Sequence, residues 1–217
     1  VSKYPSPDVP WIFARSYGGA QTPALIVMHS TVTGTKAGAA RSVARYFATE
    51  TQPTSAHYVV DAAEIIQCVP DHNEAWHCGY NKNSIGIEMC DMPVLGNMGH
   101  WLVPASQRTG PRPIFHGHAI TPLRWIEPSH RAMLSRAAHL TAQLCLAYDI
   151  PIRLLSNSEL EDWDRKGKHA ADGGIVTHQQ MSQVFRQSDH WDPGAWPSQL
   201  FLKRVTVAAA AIQAASK

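Results

Sequence analysis

No apolar segment in this 217-residue chain approaches the roughly 20 residues that crossing a bilayer requires, so no membrane partner is expected. Charge is scarce too. Charged residues make up 17%, and 19 Lys and Arg against 17 Asp and Glu leave a net charge of +2. So mild a balance could help on an anionic polymer such as a cell wall but is too weak to argue for nucleic acid, and no nucleic-acid partner is expected. Cysteine is sparse: Cys68, Cys78, Cys90 and Cys145 form no CxxC pair, which argues against a zinc knuckle or redox motif. A disulfide framework is not expected at this size and density, although a single Cys68–Cys78 bridge stays open. The opening residues VSKYPSPDVP lack the charged-then-apolar pattern of a secretion signal. Synthesis in the cytoplasm without a signal peptide is one expectation. Loss of an upstream leader or module is the other, favoured by a start on Val. Internal repeats and low-complexity linkers are also missing, so a single domain over 1–217, acting as a monomer, is expected.

What the chain does have is a hydrophobic share of 44%, enough for one sizeable core, delivered in short runs. Residues 24–28 are continuously apolar between a Pro and a polar cluster, as in a buried central strand, and end on His29. A helix is predicted over 35–49, with Ala39, Val43, Tyr46 and Phe47 on one face. Residues 56–60 and 64–69 flank Asp61-Ala62-Ala63 as a hairpin, and SIGIEM (84–89) is another buried strand, carrying Glu88 near its end. A long helix is predicted over 127–148 and a last one from Pro197. Residues 1–23 read as an irregular arm. Residues 91–126, dense in Pro and Gly, read as a long inserted loop, and 154–174 as polar and loop-like with Trp163 as an anchor. Alternation of strands and helices indicates an α/β fold: a central, mainly mixed sheet flanked by helices.

The chemistry concentrates at 178–192, HQQMSQVFRQSDHWD. His178 follows the apolar run Ile175-Val176-Thr177, and MSQVF has the spacing of a brief helix. Asp192 sits in a Pro-Gly turn. Imidazole and carboxylate suit a divalent zinc, and a catalytic zinc takes three protein ligands plus an open position. His29, also delivered by an apolar run, is the natural third. With 12 histidines in the chain, most are expected to be surface or loop residues, and His116 and His118 in the Pro-rich stretch are read as solvent-exposed. Glu88 on pattern alone reads as an edge residue or salt-bridge partner.

Taken together, VMHST, SAHYVVDAAEIIQCVPDHNEAWHCG, NKNSIGIEM and GIVTHQQMSQ…SDHWDPG resemble the zinc-dependent N-acetylmuramoyl-L-alanine amidases of the type-2 family, which share their fold with the peptidoglycan recognition proteins. The match runs in order over about 24–90 and 127–202, and is most like the amidase modules of endolysins from phages of actinobacteria. The resemblance implies one zinc per chain, held by His29, His178 and Asp192, and Glu88 as the residue that activates the metal-bound water. It implies an oxyanion-stabilising role at His190, where many relatives have Lys. His57, His77 and Asn83 match substrate-groove positions. The implied substrate is bacterial peptidoglycan, cut between N-acetylmuramic acid and L-alanine. A cytoplasmic amidase recycling soluble muropeptides would share these residues. A recognition module that binds without cutting would have no need of an open zinc or of Glu88.

Overall fold

The computed structural model describes residues 7–31, 33–91, 94–95, 114–115, 118–121, 128–190, 192–193 and 196–217. Its centre is a five-stranded sheet built from β1 (Leu25–Ser30), β2 (Tyr58–Val60), β3 (Ile65–Gln67), β4 (Ser84–Met89) and β8 (Gly174–Thr177), in the order β3-β2-β4-β1-β8. All neighbours pair in parallel except β2 with β3. Parallel strands covered on both faces must be apolar throughout, and β1, LIVMHS, is buried at every position.

The two faces of the sheet carry different layers. Ile26, Met28, Ile85, Ile87 and Met89 pack in one cluster with α1 (Ala39–Thr49), α2 (Pro128–Ala147) and α5 (Ser198–Ala215). Leu25, Val27 and Val176 face the other way, onto Leu160 and Trp163 of α3 (Asn157–Arg165) and Met181 of α4 (His178–Phe185). The predicted hairpin is present. Asp61 Oδ1 accepts from the backbone N–H of Ala63 and Glu64 to close its turn, while Oδ2 accepts from Ala40 N at the start of α1. The arm over 7–23 is more regular than expected. Trp11 bridges Gln67 in parallel, and Ile12 and Ala14 donate to the Gln67 and Cys68 carbonyls, so the arm covers the exposed edge of β3.

Three sequence expectations need correction. The first helix starts at Ala39 rather than 35, because Gly38 has φ 88°, outside the right-handed helical region. Residues 157–165 form α3 instead of a loop. A reciprocal capping box joins Ser156 and Glu159, and Leu160 and Trp163 bury its inner side. The 91–126 stretch is not all loop: β5 (Val94–Leu95), β6 (Ile114–Phe115) and β7 (His118–Thr121) form a separate antiparallel sheet in the order β5-β7-β6. His116 and most of that stretch lie outside the described residues. All four thiols are free and buried, which closes the Cys68–Cys78 alternative. Among the described residues no helix is long and apolar enough to cross a membrane.

Candidate metal centre and groove

Pairing of the sheet lines up the candidate residues before any side chain is considered. His29 is the register partner of Glu88 on β4, and Met28 that of Thr177 on β8, so His178 emerges beside His29. All three stand at the carboxyl ends of parallel strands, where open α/β sheets place their ligands. His178 is the first residue of α4, whose start is fixed by a capping box between Thr177 and Gln180. Asp192 reaches the cluster from the C-terminal loop. Its carbonyl accepts from Gln179 N at 3.0 Å, and its Oδ2 accepts from Ser30 N at 3.2 Å.

One ligand atom each from His29, His178 and Asp192 lie within 4.8 Å of one another, all three residues buried. His29 Nδ1 is 3.3 Å from Asp192 Oδ2 and 3.9 Å from Glu88 Oε1, and His178 Nδ1 is 3.1 Å from Asp192 Oδ1. His190, half-exposed at the mouth, stacks on His178 at 4.2 Å between ring centroids and points Nδ1 at Asp192 Oδ1 from 3.4 Å. Burial, reinforced by His178, pushes the His29 imidazole down to about 4, so its ring is held as a neutral lone-pair donor. Burial works against ionised Asp192, yet the surrounding imidazoles of His178, His190 and His29 keep its carboxyl well below the usual range. Burial, with Asp192 and Asp91 nearby, raises Glu88 well above its ordinary value. Glu88 Oε2 has no hydrogen-bond partner among the described residues. Two imidazoles, a carboxylate and a second carboxyl group with an unsatisfied oxygen, converging in a buried pocket, fit a divalent cation with nitrogen and oxygen ligands.

The cluster opens into a groove of about 970 Å³, walled on one side by Lys36, Val43 and Tyr46 around α1. A second recess of about 460 Å³ adjoins it, and the two share Thr54, His77, His178 and His190. The centre therefore lies where two depressions meet.

The family model described as N-acetylmuramoyl-L-alanine amidase matches residues 19–195. The chain belongs to that family. Among curated amidases of Bacillus subtilis, XlyA is 38% identical over 79 residues, covering 34% of this chain and 27% of XlyA. CwlA is 35% identical over 71 residues, covering 30% of this chain and 25% of CwlA. The chain thus aligns with about a quarter of the length of these relatives. Its fold is shared with the catalytic domain of XlyA (TM-score 0.53, 20% identity, 92% of this chain and 99% of that one). It is also shared with the Staphylococcus aureus hydrolase AmiA, solved in complex with its ligand (TM-score 0.63, 15% identity, 97% and 87%).

Of the residues expected at the groove of this amidase-family fold, the structure brings His77 to the wall but not His57 or Asn83. His57 is fully buried behind His77, its Nδ1 accepting from Gly86 N and its Nε2 in contact with Gln21 and the Asn73 carbonyl. Asn83, with φ 62°, sits just before β4, at the end away from Glu88, and donates to the Thr22 carbonyl. Several supporting residues escaped the sequence reading. Ser30 Oγ donates to buried Asp91, and Ser84 and Ser188 contact the imidazoles from behind. Gly86 is the one that left a trace. A glycine inside a strand marks a close approach, and a Cβ there would lie 2.7 Å from the His77 ring.

Proposed function

We propose that this chain hydrolyses the amide joining the lactyl group of N-acetylmuramic acid to L-alanine in bacterial peptidoglycan, as a zinc amidase. The observation that carries the reading is the convergence of His29, His178, Asp192 and Glu88 at the carboxyl end of the central sheet, open to the groove. Family membership supports it.

His29 and His178 through Nδ1 and Asp192 through its carboxylate would hold the zinc. When bound, zinc lowers the pKa of water toward about 7 and polarises a carbonyl. Glu88, whose Oε2 is unsatisfied, takes a proton from the attacking water and returns it to the leaving amine of L-alanine. His190 at the mouth, its charged ring favoured by the hydrogen bond to Asp192, directs one N–H at that carboxylate and keeps the other for the developing oxyanion. The paired recesses suit a substrate that continues on both sides of the scissile bond, sugar one way and peptide the other.

The lytic setting, as the catalytic module of a phage endolysin acting as a monomer on the wall, belongs to the same reading. It draws on the likeness to the XlyA catalytic domain and to a solved Bacillus subtilis endolysin (TM-score 0.52). The test is to incubate purified walls with the protein and assay stem peptides carrying a new N-terminal alanine. Release that a chelator abolishes and zinc restores is expected. Walls that yield no new N-terminal alanine overturn the proposal.

A further inference from the structure

Only a bare imidazole nitrogen binds a metal, and which nitrogen is bare is decided by the hydrogen bond on the far side of the ring. Behind His29 the contacts run in one consistent direction. The Ser84 hydroxyl donates to the Asn81 carbonyl at 2.6 Å. A carbonyl can only accept, so the Ser84 oxygen is left to accept from His77 Nε2, 3.0 Å away. His77, buried and therefore favoured as the neutral ring, then carries its proton on Nε2 and leaves Nδ1 bare. That Nδ1 lies 2.9 Å from His29 Nε2. His29 accordingly donates from Nε2, and its own bare Nδ1 faces Asp192 and Glu88.

His178 repeats the pattern with one link fewer. The Ser188 hydroxyl donates to the Cys78 carbonyl at 3.2 Å and accepts from His178 Nε2 at 3.2 Å. His178 Nδ1 is thereby left bare toward Asp192 Oδ1. Ser182, 2.6 Å from Ser188, completes the network by accepting from the backbone N–H of His190. Both relays end on carbonyls of one short turn. Asn81 Oδ1 braces that turn by accepting from the N–H of His77 at 2.9 Å and of Cys78 at 2.7 Å. Gly79 supplies its left-handed residue, φ 77°.

We propose that the turn over 77–81 holds both metal-ligand imidazoles in the metal-ready tautomer, acting through Ser84 and His77 on one side and through Ser188 on the other. This rests on the reading of His29, His178 and Asp192 as ligands, and adds four positioning residues that coordinate nothing: His77, Asn81, Ser84 and Ser188. Without the relays each ring can turn an Nδ1–H onto Asp192, forming an internal hydrogen bond that excludes a cation.

The test is tautomer assignment by nitrogen-15 histidine NMR on the metal-free chain at mildly alkaline pH, paired with zinc affinity measured by chelator competition. In the parent chain His29, His77 and His178 should each show one tautomer, protonated at Nε2. Ser84→Ala should mix the tautomers of His29 and His77 while sparing His178, and Ser188→Ala should do the reverse. Each change should weaken zinc binding by about tenfold to a hundredfold. An Nδ1-protonated His29 or His178 in the parent overturns the proposal, as do unchanged tautomers in both serine variants. If the parent shows the expected tautomers but binds no zinc, the relay stands and the metal reading falls.

Discussion

Strand β4 presents two unlike faces from six consecutive residues. Ile85, Ile87 and Met89 turn into the cluster that includes α2 and α5 and are wholly buried among apolar neighbours. Ser84, Gly86 and Glu88 alternate with them on the other side. There Ser84 anchors His77, Gly86 makes room for its ring, and Glu88 faces His29. Neighbouring β1 is divided differently: Ile26 and Met28 join the same cluster, while His29 shares its face with Leu25 and Val27 of the second cluster. On β4, then, stability and chemistry share a backbone but almost no side chains. Substitutions on one face should therefore leave the property of the other largely intact.

The largest effect is expected at the centre of the groove face. His178→Ala should lose bound metal and wall hydrolysis together while retaining the cooperative melt, checked by metal analysis on the purified variant. A metal-loaded, fully active variant would remove His178 from the ligand set. Glu88→Gln should keep metal and fold and lower turnover by about 10²–10⁴; parental turnover would make Glu88 a structural carboxylate. His190→Ala should cost about 10² in turnover without releasing metal, and His190→Lys should recover much of it, read from rates with metal content checked in each. Ile87→Ala breaks the comparison from the other side. It should destabilise by about 2–5 kcal/mol in denaturant titration, with parental metal affinity in the folded fraction. The smallest effect is expected at Ser156→Ala, which removes half of the α3 capping box and should cost about 1 kcal/mol.

Much of this division could be read from the sequence, because an apolar run ending in a single polar residue is a one-dimensional signal. It marked His29 and His178 before any pairing was known, and the Pro-Gly turn marked Asp192; Glu88, on pattern alone an edge residue or salt-bridge partner, was marked only by the family resemblance. Adjacency in the sheet was not so marked. That β1 lies between β4 and β8, which brings His29, His178 and Glu88 together, follows from pairing across long stretches of chain. His57 and His77 show the same limit. Both are histidines near β-like segments, but one is sealed behind the other, and only the contacts with Gly86, Gln21 and Asn73 reveal which. Helix α3 eluded periodicity because Leu160 and Trp163 are its only buried residues. Its S-x-x-E start at Ser156 and Glu159 was a cue left unused. Helix α1 was extended too far because composition does not disclose the positive φ at Gly38.

Asp61 has a mechanical consequence. One fully buried carboxylate both closes the hairpin turn and holds the first turn of α1. The helix that supplies Val43 and Tyr46 to the groove is therefore bolted to the sheet edge like a fixed jaw. Moving it outward would strip the Ala40 backbone N–H of its acceptor in a buried setting. The opposite jaw is the segment around Gln187, Ser188 and His190, which lines the second recess and leads to the metal-site carboxylate of Asp192.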